Sequence, residues 1–138
     1  MLNSRIKYIY FSLICLFFFI GCSLLNSKVH ISDIKTTTGI NKDFSPTEIT
    51  SIFPYRSTKI YCWFKWQDSE VGTPITARWT YETDKIEVLN HTFKIPRRNG
   101  MGSIALSLPK SNPLPSGTYQ VSLLHEKQIL RRTSFQIK

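Results

Sequence analysis

From Val29 onward, apolar side chains recur at every second residue in short runs, and Pro, Gly, Asn or Asp interrupts each run. A period of two puts those side chains on one face of an extended strand, and no useful window carries the 3.6 period of a helix. The runs cover 29–38, 58–66, 74–82, 85–89, 92–96, 102–108, 117–124 and 129–137. Residues 85–96 read equally as one strand or as two around Asn90-His91. The breakers are FSPTEITSIFPYRS, QDSEVGT, PRRNGMG and PKSNPLPS. Short alternating strands with such turns predict an all-β antiparallel sandwich of about seven or eight strands. The 138 residues suffice for one domain of ordinary size, and 41% hydrophobic content supplies a core. No internal repeat is present.

The N-terminal stretch MLNSRIKYIYFSLICLFFFIGCS differs in kind. Arg5 and Lys7 form a short positive head, Tyr8 to Ile20 is almost wholly apolar, and Gly21-Cys22 ends the run. The apolar part has the length of a secretory leader and is shorter than the roughly 20 residues a spanning helix needs. The tetrapeptide FIGC at 19–22 resembles the lipobox of bacterial lipoproteins, with Phe19 where that family favours Leu. The resemblance implies cleavage between Gly21 and Cys22 and a diacylglyceryl group on the Cys22 thiol. Several acyl chains anchor a protein firmly where one does not. In a diderm host, Ser23 directly after the lipidated Cys resembles outer-membrane lipoproteins. The alternative is a signal-anchor helix with an incidental Cys.

The leader thus spans 1–21, the lipidated Cys and a polar tether 22–28, and the sandwich 29–138. Cys15 departs with the leader and Cys22 is capped by lipid, which leaves Cys62 alone and excludes an internal disulfide. The net charge is +9. Loss of Arg5 and Lys7 leaves 16 basic residues against 9 acidic ones, a net +7. Such a surface suits an anionic partner. An address outside the cytoplasm argues against nucleic acid.

Three runs narrow the fold. TKIYCWFKW carries Ile60, Cys62, Phe64 and Trp66 on one face. PITARWTYE carries Ile75, Ala77, Trp79 and Tyr81 on one face, and GTYQVSLL carries Tyr119, Val121 and Leu123. A hairpin through QDSEVGT would set Cys62 near Trp79 and Phe64 near Ala77. Together these runs resemble an immunoglobulin-like domain in its disulfide-free form, with Val121 where a second Cys would stand. Leu114-x-x-Gly117-x-Tyr119 resembles the tyrosine corner of immunoglobulin-like and fibronectin-III sandwiches. That likeness implies a core ring for Tyr119 with its hydroxyl returned to upstream backbone. Gly117 would relieve crowding at the bend, and Leu114 would plug the sandwich end. The ending QVSLLHEKQILRRTSFQIK reads as a closing hairpin turning near His125 to Gln128. Leu130 is out of phase with Phe135 and Ile137, which predicts a bulge near Arg131 or Arg132.

Catalytic patterns are missing from the sequence. His30, His91 and His125 have no metal-ligand spacing, and His91 and His125 fall in expected turns. There is no Gly-x-Ser-x-Gly elbow, phosphate-cradling glycine loop or paired-carboxylate arrangement. Glu82 and Asp84 fit a solvated bend, and Cys62 faces the core. The NHT at 90–92 matches a glycosylation acceptor by chance in a bacterial lipoprotein. No metal and no cofactor beyond the lipid on Cys22 is expected.

Two surface features remain. Tyr61 and Trp63 lie opposite the Cys62 face, and the expected hairpin puts Trp63 beside Arg78 and Tyr61 beside Thr80. Such a cluster would grip a partner or sugar ring, unless the N-terminal segment with Phe53 and Tyr55 covers it. Arg97, Arg98, Arg131 and Arg132 would form one basic patch for phosphate or carboxylate groups, or serve as ordinary edge-strand charges. The expectation is a non-catalytic, lipid-anchored protein of the bacterial envelope that binds another envelope protein or assists an assembly. The alternatives are binding of anionic polysaccharide or peptidoglycan through the arginines and aromatics, and an enzyme of unrecognised type.

Overall fold

Alternating burial along the strands is what joins the chain into two layers. The computed structural model describes residues 28–138. The expected leader, Gly21, Cys22, Ser23 and the expected tether up to residue 27 lie outside the described residues. The strands are β1 (His30–Thr37), β2 (Ile52–Phe53), β3 (Lys59–Gln67), β4 (Pro74–Tyr81), β5 (Ile86–Lys94), β6 (Gly100–Ser107), β7 (Gly117–His125) and β8 (Gln128–Ile137). A short 3₁₀ turn covers Pro109–Ser111.

A three-stranded sheet, ordered β1-β3-β6, packs on a five-stranded sheet ordered β2-β8-β7-β4-β5. Pairing is antiparallel except for β2, which lies parallel to β8. The inner faces meet in one core. Ile60, Cys62, Phe64 and Trp66 come from β3, Ile75, Ala77 and Trp79 from β4, Tyr119, Val121 and Leu123 from β7, and Phe135 and Ile137 from β8. Burying a large apolar side chain contributes roughly 1.5–3 kcal/mol. On every central strand the period-two pattern therefore decides which face turns inward.

The expected hairpin through QDSEVGT does not form. β3 and β4 belong to different sheets, and the segment between them crosses the sandwich end. Its backbone is satisfied by other segments: Ser69 N–H donates to Arg98 O at 3.0 Å, Glu70 N–H to Lys28 O at 2.8 Å and Gly72 N–H to Ile95 O at 2.8 Å. Positive φ at Asp68 and Gly72 bends the chain through the crossing. Two strands with large apolar faces bury both when they oppose each other across a core, whereas side by side each still needs a cover.

Residues 86–94 form one strand, with Val88 as the extra residue where the β4–β5 register shifts. The two-residue β2 falls inside the long breaker after β1. Its Phe53 is buried and meets Phe135 edge-on at 5.6 Å. The closing hairpin turns at Glu126, which has φ 56°. Leu130 is the bulged residue, since Leu123 pairs with Arg131 and Leu124 with Ile129.

Candidate functional site

The two long sides of the sandwich differ. On one side β1 lies against β8, and Arg131 Nε donates to Ile31 O at 3.1 Å. On the other side, among the described residues, β5 pairs only with β4 and β6 only with β3. Between β5 and β6 runs a groove of about 370 Å³.

Aromatic rings line the groove. Phe64 and Trp66 reach it from β3 and Phe93 from β5. Phe64 stands 5.3 Å from Phe93 and 5.9 Å from Trp66, centroid to centroid. The β6 wall is built from small residues opposite those rings. Gly100 pairs with Trp66 and Gly102 with Phe64. A Cβ at Gly100 would come within 2.6 Å of the Trp66 ring, and one at Gly102 within 3.3 Å of the Phe64 ring. The rings thus extend over the edge strand, a recognised way for an aromatic to shield an opposing glycine. Trp66 is fixed by its Nε1–H, which donates to Arg97 O at 2.8 Å.

The rim is basic. His91, Lys94 and Arg97 line the groove, and among the described residues no carboxylate does. Among the described residues neither Lys94 nor Arg97 has an ion-pair partner. His91 corrects the expected turn assignment. It lies within β5 opposite Ala77 and shares that residue's inward face. Exposed Met101 and Phe44 complete the mouth.

The expected aromatic cluster is not assembled. Trp63 pairs with Lys35 and Ser103, Tyr61 with Thr37 and Ala105, and Arg78 with Asn90 and Ser122 in the other sheet. Trp63 is 7% exposed and donates its Nε1–H to Phe44 O at 2.8 Å. The cover is the 38–51 excursion rather than Phe53 and Tyr55, since Phe53 is in the core and Tyr55 is exposed. That excursion folds back on itself through Thr38 N–H to Glu48 O and Thr47 N–H to Gly39 O. At its tip, hydrogen bonds from the Ser45 hydroxyl and amide hold the Asp43 carboxyl below its ordinary range. Tyr61 receives Lys59 Nζ over its ring at 5.6 Å, and Arg78 pairs with Glu87 at 3.4 Å.

The four arginines are also dispersed. Arg131 is opposite inward-facing Leu123, while Arg132 is opposite Ser122, so the two leave β8 on opposite faces. Arg97 and Arg98 follow β5, three strands away in the sheet, roughly 14 Å at ordinary strand spacing. Arg98 pairs with exposed Asp68 at 3.1 Å, a contact worth little in water. Only Arg97 belongs to the groove.

The residues expected to be structural occupy the core or its end. Tyr119 stacks on Phe135 at 5.1 Å and donates its hydroxyl to Pro115 O at 2.6 Å. Burial, then the neighbouring Tyr81, pushes the Tyr119 phenol up to about 12. Leu114 is buried, and its N–H donates to Ser57 O at 2.8 Å. Cys62 is a free, buried thiol, and burial pushes it up to about 12. A thiol reagent at mildly alkaline pH will therefore leave Cys62 intact in the folded protein and modify it fully in denaturant. Peptide mass after labelling measures this, and equal labelling in both states would contradict its burial.

No family model and no curated protein matches the sequence. Solved structures do match the fold. An immunoglobulin-like protein from Pseudomonas aeruginosa superposes with TM-score 0.52 at 12% identity, covering 80% of this chain and 96% of that one. The fold is an immunoglobulin-like β-sandwich. The Pseudomonas fluorescens alkylpurine DNA glycosylase AlkC, solved bound to DNA containing an abasic-site analogue, also superposes. Its TM-score is 0.50 at 12% identity, over 80% of this chain and 30% of the glycosylase. At such identities the likeness concerns the fold and leaves function to the site. Among the described residues no group of three or more His, Cys, Asp or Glu side chains could hold a metal.

The groove escaped sequence reasoning because Phe93, Lys94, Gly100 and Gly102 are ordinary residues of two separate strands. Their only linear signal is GMG, whose glycines fall opposite Phe64 and Trp66 once β6 pairs with β3.

Proposed function

We propose that this chain is a lipid-anchored, non-catalytic module of the bacterial cell envelope that binds another envelope protein along its β5/β6 side. One observation carries the docking part of the reading: two neighbouring edge strands leave an aromatic groove open between the sheets. Exposed sheet edges and apolar grooves are where β-domains receive partners. The anchor rests on the FIGC sequence and Cys22, and Ser23 favours the outer membrane in a diderm host. A second reading, anionic polysaccharide or peptidoglycan in the same groove, is favoured by unpaired Lys94 and Arg97.

Both parts are testable in the native envelope. Cys22→Ala will move the protein from the membrane to the soluble fraction, and the wild-type N-terminal peptide will carry the acyl mass on Cys22. A soluble wild type, or an unmodified Cys22, rules out the anchor. A photo-crosslinking residue at Met101 will trap one identifiable protein in fixed stoichiometry, and the same residue at Arg132 will not. Identical adducts from both positions, or none from Met101, rule out the docking side. Release of the Met101 partner by muropeptides would favour the polymer reading.

A further inference from the structure

The open side is a sheet that lacks one strand. Counted outward from the contact of β1 with β8, β3 stands opposite β7 and β6 opposite β4. Among the described residues no strand of the smaller sheet is left to stand opposite β5, and only its Phe93 end reaches across to Phe64. Exposure agrees with the count. The β5 residues that share the core-facing side of β4 are Ile86, Leu89, His91 and Phe93, opposite Tyr81, Trp79, Ala77 and Ile75. Ile75, Ala77 and Trp79 are fully buried, yet Ile86 is 54% and Leu89 37% exposed. An apolar strip of β5 therefore overhangs the smaller sheet.

The two free edges also differ in their guarding. β5 carries Glu87 and Lys94 and a bulge at Val88, devices that discourage edge pairing. β6, GMGSIALS, has no charge, no proline and no register shift against β3. Its outer backbone groups have no strand partner among the described residues. A strand laid beside β6 would satisfy those groups and would cover the β5 strip with the same act.

We propose that an extended acidic segment of a partner protein adds to β6 as the fourth strand of the smaller sheet. The proposal rests on the reading of the β5/β6 side as a protein-docking surface. The segment would run for about the eight residues of β6, with apolar side chains at alternate positions facing the β5 strip. Alternate side chains of such a strand point away from the β5 strip, so the acidic residues stand at the end of the segment beside Gly100. There they meet Lys94 and Arg97, rim cations that no carboxylate among the described residues lining the groove neutralises. The same charge argues against a second copy of this chain, because a two-fold β6–β6 pairing would bring two basic rims together.

The test uses the full-length protein in detergent and capped nine-residue peptides that alternate Val with Thr and carry two Glu at one end or the other. Controls replace Glu by Lys, or N-methylate every second amide so that one edge cannot form a ladder. Binding is followed by calorimetry at two salt concentrations, and amide exchange maps the contact. The acidic peptide is expected to bind, to weaken with salt, and to slow exchange in β6 but not in β1. The lysine and N-methylated peptides are expected to bind at least tenfold more weakly. Lys94→Glu/Arg97→Glu, whose thermal transition reports its folding, is expected to reverse the charge preference. Equal binding of the acidic and lysine peptides, or no protection in β6, overturns the proposal, as does binding of muropeptides without peptide binding. If the peptides fail while Met101 still crosslinks one stoichiometric protein, strand addition falls and the docking surface stands. If Met101 traps nothing, both fall.

Discussion

Trp79→Ala will cost the folded protein about 3–5 kcal/mol, the range for removing a fully buried large aromatic. Trp79 is 0% exposed, sits between Val121 on β7 and Leu89 on β5, and meets Phe135 edge-on at 6.0 Å. The loss is one of packing. Among the described residues the buried Trp79 Nε1–H has no hydrogen-bond partner, so truncation breaks no polar contact there. Trp79→Phe keeps most of the ring's contacts and deletes that unpaired donor, and it will cost less than the alanine change. Domains of this size are stable by only about 5–15 kcal/mol, so the alanine variant will lose a large share of its stability. Urea unfolding of both variants measures the difference. A midpoint for Trp79→Ala within about 1 kcal/mol of wild type, at equal m-value, would show that the core does not depend on this ring.

Gly117→Ala will cost roughly 2–4 kcal/mol, the sum of a strained backbone and a displaced contact. Gly117 has φ 143°, a conformation that side-chain-bearing residues rarely adopt. A Cβ there would fall 2.6 Å from Thr83 Oγ1 and 2.6 Å from the Tyr81 ring. Tyr81 cannot withdraw freely. Its hydroxyl donates to Ser116 O at 2.7 Å, and its ring lies 4.9 Å from that of Tyr119. The change therefore presses on the whole corner that joins β4 to β7. The expected result is a lowered thermal midpoint with increased near-ultraviolet tyrosine signal change on warming. A Gly117→Ala protein as stable as wild type would mean that the corner relaxes at no cost.

The corner was legible in the sequence because its members lie within six residues and depend on local backbone geometry. The likeness of Leu114-x-x-Gly117-x-Tyr119 to a tyrosine corner implied this bend, and in the structure the Tyr119 hydroxyl donates to Pro115 O. Burial of Cys62 and Trp79 was legible for a similar reason, since alternation marks a face whichever sheet that face joins. Pairing was less legible. The seven residues QDSEVGT are compatible with a hairpin or with a crossing between sheets. What separates the two is whether Ser69, Glu70 and Gly72 find carbonyls in Arg98, Lys28 and Ile95. Those partners are distant in the chain.

The misplaced surface features follow from that one choice. With β3 and β4 in different sheets, Trp63 and Arg78 separate, and the 38–51 excursion takes the place beside Trp63 through Phe44 O. Arg131 is exposed, as its sequence suggests, but its guanidinium donates to Ile31 O across the β1/β8 side instead of joining a patch with the other arginines.

By itself the sequence determined the all-β class and the inward face of each central strand, and its likeness to a tyrosine corner pointed to the bend at Gly117. Each follows from side-chain alternation or from contacts a few residues long. Only the tertiary structure decided which strands share a sheet, and that arrangement leaves β5 overhanging and β6 unguarded. Sheet membership depends on hydrogen bonds and burial between segments tens of residues apart. A one-dimensional pattern of period two is satisfied equally by several such pairings.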